Sequence, residues 1–86
     1  MTHLEEASTP GRRIRVYVRL LNEGTLCFRP TTGLVAAPGV VRLDATPDYD
    51  SVDEEWEFTP GTLVTLTVRN DETGPFLIAV AEWRAS

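Results

Sequence analysis

Lysine is absent from the 86 residues of this chain, and cysteine and histidine occur once each. A lone cysteine, Cys27, cannot form a disulfide within the chain, so we expect a reducing or redox-indifferent compartment. The only histidine, His3, lies before the breaker-rich run Ser8–Gly11. Cys27 and the serines therefore lack a histidine base for nucleophilic catalysis. We expect no enzymatic activity and no catalytic residue.

Long apolar runs are missing as well. No stretch reaches the roughly 18–20 apolar residues that a membrane-spanning helix requires. Residues 1–13 also lack the apolar core of a signal peptide. The expected location is therefore the cytoplasm, without membrane association.

The sequence holds no pattern typical of a metal site. Clustered Cys and His residues, the usual ligands of transition metals, are absent. Asp48, Asp50 and Asp53 have some of the spacing of a calcium loop. However, Val52 and Asp53 occupy positions where an EF-hand loop has an oxygen ligand and a glycine. We expect neither a metal ion nor a cofactor.

Charge is distributed unevenly along the chain, whose formal net charge is −5. Residues 1–43 contain six arginines against three acids, whereas residues 44–86 contain two arginines against ten acids. Seven of these acids lie between Asp44 and Glu57, where no basic residue occurs. We call residues 48–57 the acidic loop. A chain with a basic half and an acidic half is suited to steering a charged partner.

Alternation of apolar and polar residues predicts two strands. Apolar side chains recur at every second position from Ile14 to Leu20 and again from Val64 to Val68. Further short strands are expected over residues 25–29, 40–43 and 76–83. Pro30 lacks an N–H group, so it either ends the second strand or places it at a sheet edge. Continuation of the strand over residues 31–37 after a bend is left open.

Short strands separated by turn signals predict an all-β fold. We expect one small SH3-like barrel of five or six strands over residues 12–86, because closing a sheet removes its exposed edges. Residues 1–11 are expected to form a flexible, disordered lead-in. Residues 76–81 are apolar on both faces, which predicts either a central strand or a contact with a second copy of the chain.

Two sequence blocks carry a resemblance to known proteins. The first is VYVRLLNEGT at residues 16–25, followed by Arg29-Pro30, and the second is EWEFTPG at residues 55–61, preceded by residues 47–50. These blocks resemble those of a group of short, uncharacterised bacterial proteins, and the strand order resembles small SH3-like barrels. The resemblance implies a fold and carries no activity.

The leading functional hypothesis concerns the acidic loop. Its acids are expected to dock a basic surface on a partner protein, as a small inhibitor or immunity protein would. Trp56 is either an anchor in that interface or a plug at one end of the barrel. The predicted partner-binding residues are Asp48, Asp50, Asp53, Glu54, Glu55, Trp56 and Glu57.

The alternative hypothesis is a nucleic-acid-associated barrel. Arg13, Arg15 and Arg19 share one strand face with Tyr17, and arginines beside an aromatic ring are typical of single-strand binders. The pI of about 4.7 argues against this alternative, because nucleic-acid-binding domains are usually basic. These arginines are otherwise expected to pair with acids or to keep the sheet soluble.

Overall fold

The computed structural model describes residues 7–84, which form six β-strands and no helix. The prediction of an all-β fold is confirmed. The strands are β1 (Arg13–Leu21), β2 (Cys27–Ala37), β3 (Val40–Leu43), β4 (Glu55–Trp56), β5 (Leu63–Asp71) and β6 (Gly74–Glu82).

The strands pair in one sheet. The series of strand pairings that begins at β1 also ends at β1. Antiparallel pairings join β1 to β2, β2 to β3, β3 to β5 and β5 to β6. Four antiparallel steps leave β6 running in the same direction as β1, so the pairing between these two strands has to be parallel. That pairing is also short, with Tyr17 opposite Ile78 as its one partner pair. β4 adds to the end of β1, with Trp56 opposite Leu20.

The core contains the inward-facing residues of the alternating strands. Val16 and Val18 of β1 are fully buried, whereas Arg15 and Arg19 on either side of this pair are exposed. β6 lies between β5 and β1 and is therefore a central strand of the sheet, in which Leu77, Ile78 and Ala79 are buried while Val80 and Ala81 are exposed. The buried cluster is made of Ala7, Ile14, Val16, Val18, Val35, Val41, Leu43, Trp56, Val64, Leu66, Leu77 and Ala79.

Pro30 does not end its strand, because β2 continues through it to Ala37. On one side Pro30 faces Tyr17 of β1. On the other side, β3 pairs with β2 only from Gly33 onward. Pro30 therefore lies where β2 forms a sheet edge, and its missing N–H leaves no ladder bond unmade. The expectation that Pro30 lies at an edge is confirmed, while the strand ending near Arg29 is wrong.

The described part of the N-terminal lead-in is packed against the sheet. Ala7 is fully buried, and its carbonyl oxygen accepts a hydrogen bond from the Gly39 amide at 2.8 Å. The Gly11 amide donates to the Val35 carbonyl, also at 2.8 Å. Residues 1–6 lie outside the described residues, and a domain boundary at residue 11 stays a prediction.

Gly33 is the glycine at which the fold requires the absence of a side chain. A Cβ added there would lie 2.9 Å from Val41 Cγ2 and 3.0 Å from Val41 Cβ. Both residues are buried, and they lie on the paired strands β2 and β3. Val41 is β-branched and fully buried, so it has little freedom to move away.

We expect Gly33→Ala to lower the free energy of unfolding by about 1–3 kcal/mol, the usual cost of overpacking a core. Gly24→Ala is the matched control, because a Cβ at Gly24 would meet no atom within 4 Å. Urea unfolding of both variants measures the difference. Equal midpoints for the two variants would contradict the close approach of β2 and β3.

Candidate functional site

The segment that leads into the acidic loop is fixed to the sheet by Asp44. Its carboxylate accepts hydrogen bonds from Arg13 Nε at 2.8 Å and from the Thr32 hydroxyl at 2.6 Å. Its amide donates to the Thr32 carbonyl at 2.9 Å. The hydrogen bond from Arg13 holds the pKa of Asp44 below its usual value, although partial burial opposes this shift.

The other end of the acidic loop is fixed by Glu54. Arg29 donates to both of its carboxylate oxygens, from Nη2 at 2.7 Å and from Nε at 3.2 Å. Trp56 Nε1 donates to Glu54 Oε1 at 2.8 Å. The guanidinium and the indole therefore converge on one carboxylate, which lowers the pKa of Glu54.

Trp56 belongs to the core. Only 2% of its surface is exposed. The Tyr49 ring packs edge-on against it, with ring centroids 4.9 Å apart. Of the two alternatives for this residue, the structure shows burial in the core. Glu54 and Trp56 hold the loop in place, and a partner would meet other residues first.

The rest of the acidic loop faces solvent. Asp48, Asp50, Asp53, Glu55 and Glu57 are all exposed. The Asp50 carboxylate accepts a bond from the Val52 amide at 2.8 Å and thereby shapes the turn. The Glu55 carboxylate accepts a bond from the Asn22 side chain.

Val52 is a residue that sequence reasoning missed. It lies between Asp50 and Asp53 in the turn of the acidic loop, and 89% of its surface is exposed. A valine in an acidic, turn-rich segment gives no periodic signal, so its exposure emerges only from the loop conformation. The loop thus presents one apolar side chain among exposed carboxylates.

Not all of the residues named in the nucleic-acid hypothesis are free to contact a ligand. Arg13 forms an ion pair with Asp44, so its charge is largely compensated. Arg15 and Arg19 are exposed, and Tyr17 between them is half-buried. The structure brings further residues from other strands to the same outer surface. We call this surface the arginine face, and it is formed by Arg15, Tyr17, Arg19, Phe28, Arg69 and Phe76.

The aromatic residues of the arginine face contact one another. Phe76 packs edge-on against Tyr17 and Phe28, with centroid distances of 4.9 and 5.8 Å. The Arg69 guanidinium lies 5.3 Å from the centroid of the Phe28 ring. Sequence reasoning missed Phe28, Arg69 and Phe76, because they lie on three different strands and their proximity is not a local property.

Comparison with known proteins identifies no family for this chain. No family model, curated protein or solved structure matches the chain significantly. The resemblance to short bacterial proteins and to SH3-like barrels therefore stays a prediction.

Two features are absent from residues 7–84. No group of three or more His, Cys, Asp or Glu side chains is arranged to hold a metal ion there. Over the same residues, no helix is long and apolar enough to cross a membrane.

We expect Glu54→Gln to lower the free energy of unfolding by about 1–2 kcal/mol at pH 7, because Arg29 and Trp56 lose a charged acceptor. The pKa of Glu54 is lower in the folded chain than its ordinary value of 4.5. Its stabilising contribution is therefore complete above the unfolded pKa and is lost as the pH falls through the folded pKa. The difference between wild type and Glu54→Gln should shrink accordingly below about pH 4.5.

Glu57→Gln provides the control, since Glu57 is exposed and belongs to the same loop. Urea unfolding of all three proteins at neutral and acidic pH measures both effects. A loss in Glu54→Gln that stays constant over this range, or one that Glu57→Gln reproduces, would contradict the role given to Glu54.

Proposed function

We propose that this protein is a non-enzymatic interaction module whose acidic loop docks a basic surface on a partner protein. The observation that carries the proposal is the fixed shape of the loop. Glu54 is bonded to Arg29 and Trp56, and this anchor leaves Asp48, Asp53 and Glu57 directed to solvent. A loop that is already ordered loses little conformational freedom on binding.

The exposed carboxylates and Val52 have different roles in this proposal. Charges at the rim of an interface raise the association rate and make it sensitive to salt. Val52, at 89% exposure, supplies apolar surface that binding can remove from water. Glu54 and Trp56 are positioning residues that keep this arrangement in place.

The proposal includes three broader expectations. The circular strand pairing supports an SH3-like barrel, on which loops commonly carry function. By analogy, we expect a small acidic protein of this kind to neutralise a basic partner in the cytoplasm, as an inhibitor or immunity protein does. Self-association is a separate expectation, supported by Val80 of β6, which is 47% exposed.

The proposal is tested by replacing Val52 with a photo-crosslinking residue and irradiating the protein in lysate of its source cell. We expect one basic protein to be captured, with a yield that falls as salt is added. The same crosslinker at Ala36, which is exposed on β2, is the matched control. Capture of the same proteins from both positions would contradict docking through the loop.

Association rates with the purified partner then distinguish the charges of the acidic loop from the net charge of the protein. We expect Asp53→Asn/Glu57→Gln to slow association several-fold at low salt, because charge steers encounter. Glu72→Gln/Glu82→Gln removes the same charge from exposed positions outside the loop and should have a smaller effect. Equal rates for the two double variants would show that only net charge matters and would overturn the proposed site.

A further inference from the structure

A depression of about 390 Å³ lies on the outer surface of the sheet. It shares Tyr17, Phe28 and Phe76 with the arginine face and is far larger than the space one water molecule needs. Cavities of this size are at the lower end of the range that binds small organic groups. It is lined by Tyr17, Phe28, Asp71, Thr73, Pro75 and Phe76.

The aromatic rings form walls of this depression. The Tyr17 and Phe76 rings cross at 66°, and the Phe28 and Phe76 rings cross at 62°. All three side chains are half-buried, so each retains some ring surface in contact with solvent. Rings crossed at these angles do not cover each other's faces completely, and a flat group can contact the area that remains.

Arginine side chains accompany the aromatic rings. Arg19 of β1 is exposed and lies directly opposite Phe28 of β2. Arg69 of β5 lies opposite Phe76 of β6, and its guanidinium is over the Phe28 ring. Arg15 is exposed two positions before Tyr17 on the same strand face. None of these three guanidinium groups forms an ion pair within the described residues.

The one acid in the lining has a fixed orientation. Asp71 Oδ1 accepts hydrogen bonds from the Thr73 hydroxyl at 2.7 Å and from the Thr73 amide at 2.8 Å. These bonds, from the side chain first and then from the backbone, hold the pKa of Asp71 below its usual range. An ionised carboxylate beside the rings accepts hydrogen bonds from groups such as the amino group of a base.

We infer that the arginine face binds single-stranded nucleic acid, with a base against the rings of Tyr17, Phe28 and Phe76 and phosphates near Arg15, Arg19 and Arg69. Stacking on aromatic side chains together with arginine contacts to the backbone is how single strands are held without duplex structure. This surface shares no residue with the acidic loop, although the two adjoin where the Glu57 amide donates a hydrogen bond to the Arg19 carbonyl at 2.8 Å. The inference therefore goes beyond the proposed docking of a partner protein.

The arginines around the depression favour this ligand over a cationic side chain of a protein, although Asp71 in the lining carries a negative charge. The Arg69 guanidinium already lies over the Phe28 ring, so an incoming arginine or lysine would meet a like charge there. A phosphate would instead be attracted to Arg19 and Arg69. The net charge of −5 opposes any polyanion, and we therefore expect binding that is detectable at low salt and weakens as salt is added.

The test measures fluorescence anisotropy of labelled single-stranded oligonucleotides of about 12 nucleotides, a length that one small barrel can cover. We expect binding in about 50 mM salt and a weaker signal for duplex of the same length. Tyr17→Ala should weaken binding about 5- to 150-fold, the range seen when one base loses its stacking partner. Tyr17→Phe keeps the ring and should bind like wild type, and an unchanged circular dichroism spectrum of Tyr17→Ala separates lost stacking from a folding defect.

Arg19→Gln and Arg84→Gln form the matched charge pair, because Arg84 is exposed and lies outside the arginine face. Arg19→Gln should reduce the slope of log affinity against log salt by about 0.7, and Arg84→Gln should leave it unchanged. Absence of oligonucleotide binding at low salt would overturn the inference. Equal effects of the two arginine variants would do so as well, as would tighter binding of an arginine-rich peptide that depends on Tyr17.

Discussion

The structure depends on β1, the strand that joins the two ends of the sheet. It pairs with β2 from Arg13 to Leu20 on one side and with β6 and β4 on the other. Side chains alternate between the two faces of a strand, so a slip by one residue would exchange Val16 and Val18 with Tyr17 and Arg19. The register of β1 therefore fixes both the core and the arginine face.

Glu54 has the corresponding role for the acidic loop. A carboxylate that accepts bonds from Arg29 and Trp56 connects the loop to β2 and to the core at once. Charge-assisted hydrogen bonds are stronger than neutral ones, and their geometry is specific. The loop would otherwise be a run of mutually repelling acids, and its fixed shape depends on Arg29 of β2 as well as on Trp56 within the loop.

The two oppositely charged halves of the chain partly neutralise each other in the fold. Arg13 pairs with Asp44 and Arg29 pairs with Glu54, and each pair joins a basic-half residue to an acidic-half residue. What remains is two groups of exposed charges: carboxylates on the acidic loop, and arginines beside aromatic rings on the outer sheet surface. The two groups adjoin where the Glu57 amide donates a hydrogen bond to the Arg19 carbonyl. The two proposals use these two surfaces, and each depends on charges that the fold leaves uncompensated.

The sequence by itself determined the all-β class, the alternating strands β1 and β5 and the position of the acidic loop. These properties are local, because they follow from residue periodicity, backbone preference and charge density. Only the tertiary structure decided that Trp56 is buried, that Pro30 lies inside β2 where this strand forms a sheet edge, and that the rings of Phe28 and Phe76 are in contact. Such contacts join residues distant along the chain, and they follow from strand register and packing, which no local pattern specifies.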